Sequence, residues 1–171
     1  MPENRFERYL VTANRSVIFL MMAVMTTLVF VNVIARYVLN FSIIWAEEVS
    51  QYLMIWIAYL GAGLALREGR HVALEMLHDR LSAPLSRRVR MAVGGILLVF
   101  LGWVTILGFQ FAIFVWNQET PVLNISLGIP SLAIPIGTLL FAAHLVLMFR
   151  DYADRKFKSG YVLEDLSGEG V

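Results

Sequence analysis

Four long stretches without a charged side chain constrain this sequence more than any other feature. They cover residues 16–35, 49–66, 91–118 and 120–149, and are 20, 18, 28 and 30 residues long. An α-helix of about 20 mainly apolar residues crosses the hydrocarbon core of a bilayer. Because lipid cannot satisfy a free backbone N–H or C=O group, continuous apolar runs of this length predict helices. A β-barrel is not indicated, since its strands alternate apolar and polar residues over about ten positions.

The composition agrees with an all-α membrane protein. Hydrophobic residues make up 58% of the chain and charged residues 16%, whereas soluble domains average about 45–50% and about 25%. We predict four transmembrane helices, near 16–39, 43–66, 91–115 and 130–149, in one membrane domain that covers 16–149. Residues 1–15 form an N-terminal arm, 67–90 a loop and 150–171 a tail. The first apolar run is expected to remain as a helix, because no A-x-A-like cleavage site follows it.

The lysines and arginines are distributed unequally between the two ends of the predicted helices. Thirteen of the 14 lie in the arm, the 67–90 loop and the tail, and only Arg36 lies in the connection between helices one and two. Short loops rich in Lys and Arg remain on the cytoplasmic side of a membrane. Both termini and the 67–90 loop are therefore predicted to be cytoplasmic, with the first hairpin on the outer side.

Three charged residues, Arg36, Glu47 and Glu48, interrupt the apolar sequence around that hairpin. With a turn near residues 39–42, all three lie close to the ends of their helices. One interpretation is an interfacial ion pair that fixes the hairpin, with Trp45 as an interfacial anchor. Contact with another subunit and a proton- or ion-carrying carboxylate are the alternatives. A transport carboxylate is normally placed deep within its helix, which favours the first two interpretations. Whether Arg36 pairs within the chain or with a partner stays open.

The three histidines raise the question of a metal or haem. His71, Glu75 and His78 have i, i+4, i+7 spacing and could share one helix face. Nothing else in the sequence completes a coordination sphere for them. His144 lies in helix four, whereas the other two histidines lie in the 67–90 loop, so two haem ligands facing each other across a bundle are not evident. We expect no catalytic group, no metal and no cofactor in this chain.

Two prolines mark helix four. Pro130 suits the first turn of a helix, where its missing N–H would be unpaired anyway. Pro135 removes a backbone donor further along and should free the carbonyl of Ser131, which predicts a kink there. Glycines in helices two and three indicate close helix contacts: Gly61, Gly63, Gly94, Gly95 and Gly102.

Taken in order, these segments resemble a known family. "NVIARY" ends helix one, "WAEEVSQYLMIWIAYLGAGLALREGRHV" forms helix two and its continuation, and "LGIPSLAIPIG" opens helix four. The chain resembles the small membrane subunit (DctQ-like) of tripartite ATP-independent periplasmic (TRAP) transporters over roughly residues 15–150. The residues that carry the resemblance include Arg36, Trp45, Glu47, Glu48, Arg67, His71, Pro130 and Pro135.

The resemblance implies a division of labour in a bacterial inner membrane. A large membrane subunit carries the substrate and Na⁺ sites, and a soluble periplasmic protein delivers an organic anion. The anion is a carboxylate such as a C4-dicarboxylate, keto acid or sialic acid, or a sulfonate. The small subunit then binds no substrate and no nucleic acid, and extends the large subunit as a scaffold among the membrane lipids. Its subunit interface or hairpin would use Arg36, Trp45, Glu47 and Glu48 at the outer end, and Arg67 and His71 at the inner end. The alternative function is a self-contained small proton-coupled exporter that uses Glu47 or Glu48.

Overall fold

The computed structural model describes residues 5–67, 83–147 and 149, without the side chains of residues 6, 7, 67, 83–87 and 90. Apart from one isolated bridge between Glu119 and Ser126, the regular structure in these ranges is helical. The helices are α1 (Arg5–Val38), α2 (Ile44–Arg67), α3 (Ala83–Phe114), α4 (Gly128–Ser131) and α5 (Ala133–Leu147). Four segments are long and apolar enough to cross a membrane: Arg8–Val38, Ile44–Leu66, Met91–Phe114 and Gly128–Leu147. The predicted all-α fold with four spans is confirmed.

Two helices extend beyond the apolar runs that predicted them. α1 begins at Arg5 rather than near residue 16, and α3 begins at Ala83 rather than near residue 91. Hydropathy marks the part of a helix that crosses lipid, and a helix can continue into water. The 34 residues of α1 reach about 51 Å, well beyond the roughly 30 Å of the hydrocarbon core. The cytoplasmic placement of the arm, loop and tail stays a prediction, and His71, Glu75, His78 and the tail lie outside the described residues.

The helices form an open layer in the order α1, α2, α5, α3. α1 packs on α2, α2 packs on α5, and α5 packs on α3, while the short α4 contacts α3, α5 and α2. In the most apolar part of each span, 39% of the residues are buried for the span that contains α5, against 6% for the span of α1. α2 and α5 each pack on two long helices and lie in the middle of the layer, whereas α1 and α3 form its edges.

One face of α1 forms the contact with α2. Its more buried positions alternate in steps of four and three residues, which is the spacing of a coiled-coil seam: Asn14, Ile18, Met21, Met25, Leu28, Asn32 and Ala35. The two asparagines, near the two ends of this seam, are 7% exposed. The Asn14 side-chain amide donates to the Leu60 carbonyl at 3.1 Å. Since lipid offers no hydrogen bond, these polar contacts also fix how α1 lies along α2.

Close approach of backbones joins α5 to its neighbours. A Cβ atom built on Gly137 would lie 2.5 Å from the Cβ atom of Tyr59 in α2, and one on Gly63 would lie 3.2 Å from the Cα atom of Phe141. Around Gly95 and Gly102 an added Cβ meets nothing within 4 Å. Of the glycines singled out in the sequence, Gly63 makes a close helix contact and these two do not.

Helix four is divided at Leu132, between α4 and α5. The Leu132 N–H donates to the Gly128 carbonyl at 3.0 Å, and the Ile136 N–H donates to Leu132 at 3.1 Å. Pro135 has no N–H to continue this ladder back to Ser131, which explains the division. The helix begins at Gly128 rather than at Pro130, and both prolines are buried. The kink assigned to them stays a prediction.

Candidate functional site at the hairpin end

The turn between α1 and α2 is defined by how α1 ends. The backbone N–H groups of Leu39 and Phe41 both donate to the Ala35 carbonyl, at 3.1 and 3.0 Å. Asn40, between them, has a φ of 53°. Asparagine adopts this left-handed conformation more readily than most residues, and it commonly follows the last turn of a helix. We call this end of the layer, with the loop at residues 115–127 that meets it, the hairpin end.

Arg36 pairs with Glu47 within the chain. Its guanidinium contacts the Glu47 carboxylate and donates to the Ser42 hydroxyl at 3.1 Å. The Asn32 side chain joins the same group: its amide nitrogen lies 3.4 Å from Glu47 Oε1, and its oxygen accepts from the Ile43 N–H at 2.8 Å. Both charged side chains are about half exposed. The contact neutralises both charges where the chain enters the membrane and ties α1 to the start of α2.

Glu48 faces a different part of the molecule, although it is adjacent to Glu47. Its side chain is buried. Oε1 accepts from the Tyr52 hydroxyl at 2.6 Å, and Oε2 accepts from the backbone N–H groups of Val122 and Leu123 at 2.8 and 3.0 Å. The carboxylate therefore connects α2 to the loop between α3 and α4, more than 70 residues away along the chain.

That loop has its own hydrogen bonds. The Thr120 N–H donates to the Ile125 carbonyl at 2.8 Å, and the Leu127 N–H donates to Gln118 at 2.8 Å. The buried Thr120 hydroxyl accepts from the Ile125 N–H at 3.3 Å. Asn124 has a φ of 51°, which closes the turn. The loop is thus a small folded unit, and the Glu48 carboxylate connects it to α2.

The structure unites some of the predicted site residues and separates others. Arg36 and Glu47 lie together, Glu48 belongs to the loop, and Trp45 is about half exposed at the start of α2 with no hydrogen bond in the described part of the chain. Arg67 ends α2 at the opposite end of the layer. The interface roles given to these residues, and to His71, stay predictions.

Sequence reasoning missed several partners of these charges. Asn32 lies four residues before Arg36, and Tyr52 lies four residues after Glu48, so both share a helix face with the charge they support. That spacing could have revealed them. No local signal links Glu48 to the Val122 and Leu123 amides, because the packing of α3 on α5, and of α5 on α2, brings the loop to Glu48.

The chemistry available at the hairpin end is limited, since both carboxylates are already engaged. Glu47 contacts a guanidinium, and Glu48 accepts three hydrogen bonds. Among the described residues, no three His, Cys, Asp or Glu side chains are placed to hold a metal ion. The arrangement holds two helices and a loop in a fixed geometry.

Comparison of the sequence with known proteins identifies its family. Residues 25–154 match the model of "Tripartite ATP-independent periplasmic transporters, DctQ component". The chain is similar to a TRAP transporter small permease protein of Haemophilus influenzae, with 33% identity over 73% of this chain and 78% of the relative. It is also similar to the C4-dicarboxylate TRAP transporter small permease protein of Rhodobacter capsulatus, with 33% identity over 58% of this chain and 44% of the relative. The ectoine TRAP transporter small permease protein of Halomonas elongata is 27% identical over 80% of this chain and 76% of the relative.

Members of this family are transporter subunits of the inner membrane rather than enzymes. The family implies a large membrane subunit and a substrate-binding protein as partners. The match covers about three quarters of the chain, including the last three spans in full and residues 25–38 of the first. The chain therefore belongs to the DctQ family, the small membrane subunits of TRAP transporters.

Proposed function

We propose that this chain is the non-catalytic scaffold subunit of a Na⁺-coupled, binding-protein-dependent TRAP transporter that imports an organic anion. In this role it stabilises and extends the large membrane subunit, which carries the substrate and Na⁺ sites. The substrate is a carboxylate such as a C4-dicarboxylate, keto acid or sialic acid, or a sulfonate. The named substrates of the relatives differ among C4-dicarboxylate, ectoine and sialic acid, which supports placing substrate selection in the other subunits.

The observation that carries the scaffold role is the engagement of Glu47 and Glu48. These are the two acidic residues in the four candidate spans of the described chain, and both hold the chain's own structure together. A carboxylate that carries a proton or an ion must release its partners during each cycle, and such residues normally lie deep in the membrane. The arrangement at the hairpin end supports a static role and argues against the self-contained exporter.

Reconstitution tests the proposal directly. Vesicles that contain this chain, the large membrane subunit encoded with it and the matching substrate-binding protein should accumulate a carboxylate or sulfonate when a Na⁺ gradient is imposed. Vesicles that lack this chain should transport less, because the large subunit is then less stable. The large subunit should also co-purify with this chain from native membranes.

Two results would contradict the scaffold role. One is anion transport by vesicles that contain this chain alone. The other is loss of transport in Glu47→Gln and Glu48→Gln variants whose complexes assemble in wild-type amounts, since the exporter requires a titratable carboxylate and the scaffold does not.

A further inference from the structure

Gln51 is a polar side chain in α2 that the chain itself does not satisfy. It is exposed, and no hydrogen bond reaches its amide within the described part of the chain. It lies seven residues after the first residue of α2, Ile44, which is about 10 Å along the helix axis. One headgroup layer is only about 5–7 Å thick, so this amide lies at the depth of hydrocarbon. Lipid tails offer it no hydrogen bond, and leaving it unpaired there is costly.

A second exposed glutamine shows why depth matters. Gln110 is also exposed, but it lies four residues before the last residue of α3, Phe114. That distance is about 6 Å, so its flexible side chain can reach the headgroup layer. Gln51 therefore has the greater need for a protein partner.

The surface around Gln51 has the form of a helix-docking face. Glu47, Gln51, Ile55, Ala58 and Ala62 follow one another in steps of three and four residues. At 3.6 residues per turn they fall within about 80° of the helix circumference. The first four are exposed and Ala62 is half-buried. Small residues let a second helix approach closely, and a polar group on the same face gives it a hydrogen bond.

At its rim this face carries Glu47, which pairs with Arg36 of α1. The contacts that join the rest of α2 to its neighbours lie on other sides of the helix. α2 contacts α5 through Tyr59 and Gly63, and it contacts α1 through the Leu60 carbonyl and near Gly61. The Gln51 face lies between these two contact lines. Because α2 is in the middle of the layer, the face opens onto one broad side of the molecule.

We propose that this face, residues 47, 51, 55, 58 and 62, binds a membrane-spanning helix of the large TRAP membrane subunit. The inference rests on the proposed function, which places that subunit in the same membrane. The bound helix presents a hydrogen-bonding group opposite Gln51 and packs closely against Ala58 and Ala62. The Arg36–Glu47 ion pair, half exposed at the rim of the face, offers a charged contact to the end of the same helix.

Single-cysteine photo-crosslinking tests which protein covers the face. The chain contains no cysteine, so Ala58→Cys can be labelled with a benzophenone maleimide in membranes that contain the large subunit with an affinity tag. We expect an adduct with the large subunit on illumination. The matched control is Ala23→Cys, an exposed alanine between Met21 and Met25 on the side of α1 away from α2, which should give little adduct. An adduct with a second copy of this chain, with lipid alone, or equally at both positions would overturn the proposal.

The Gln51 amide is tested by a pair of matched substitutions. Gln51→Leu should reduce the amount of complex that survives detergent extraction by about threefold or more, the mean effect of one interhelical hydrogen bond in a membrane. Gln110→Leu makes the same chemical change and should leave the complex intact. Equal effects of the two substitutions, or none from Gln51→Leu, would overturn the assignment.

Co-purification of the wild-type protein distinguishes a failure of this inference from a failure of the proposed function. If the wild-type chain co-purifies with the large subunit and Ala58→Cys gives no adduct, the assigned face is wrong and the scaffold role stands. If the wild-type chain does not co-purify with the large subunit, the scaffold role itself fails.

Discussion

At the scale of single residues, two adjacent carboxylates stabilise different parts of the molecule. Glu47 contacts Arg36 of α1, whereas Glu48 accepts from the backbone of a distant loop. Neighbouring residues on a helix point about 100° apart, so the two side chains could not both have faced Arg36. The sequence alone therefore indicates that the two carboxylates have different partners. The loop contact could not be predicted from the sequence, because it joins residues that only the packing of α3 on α5, and of α5 on α2, brings together.

Replacement of Glu48 should loosen the loop at residues 118–127. In Glu48→Ala the Val122 and Leu123 N–H groups lose their shared acceptor, so we expect amide hydrogen exchange in this segment to accelerate by roughly five- to tenfold. Hydrogen-exchange mass spectrometry of the purified protein measures the effect. Glu47→Ala is the control and should accelerate exchange around residues 36–46 instead. Unchanged protection of the loop in Glu48→Ala would show that the contact does not hold it.

At the scale of helices, the sequence predicted which segments cross the membrane but not which surfaces meet. The number of spans follows from the length of the apolar runs, and three of the helix ends at the hairpin end agree with prediction to within one residue. Lipid-facing and protein-facing surfaces are both apolar, so the composition of a helix does not tell them apart. Gly102 and Gly137 illustrate this, because each lies in an apolar span and only the second touches another helix.

Those two glycines give a matched test of helix packing. Gly137→Ala places a methyl group 2.5 Å from the Tyr59 Cβ atom, which forces α2 and α5 apart, and overpacking of this kind costs about 1–3 kcal/mol. Gly102→Ala meets open space and should leave the free energy of unfolding unchanged or slightly increased, since alanine favours a helix. Unfolding by SDS in mixed micelles, followed by circular dichroism, compares the two variants. Equal stabilities would mean that α2 and α5 are not in close contact.

At the scale of the whole molecule, the open layer explains why this chain suits a complex. In the described ranges the four long helices pack side by side in the order α1, α2, α5, α3, and α1 is joined to the rest by its seam with α2. A transporter that works alone would need a site between helices near the middle of the membrane. A layer instead offers two broad sides, one of which carries Gln51. The fold thus agrees with a subunit whose main contacts are with another protein.

The orientation of this layer gives the last prediction. The loops at the hairpin end contain no Lys or Arg, and only Arg36 lies nearby in α1, whereas the other 13 positive residues belong to segments 1–15, 67–90 and 150–171 of the sequence. The positive-inside rule therefore places the hairpin end in the periplasm. In right-side-out vesicles, a membrane-impermeant maleimide should label Asn117→Cys at once and Ser159→Cys only after the membrane is permeabilised. The absence of native cysteines makes each label specific. The reverse pattern would put the Glu48-anchored loop in the cytoplasm, where it could not face a periplasmic binding protein.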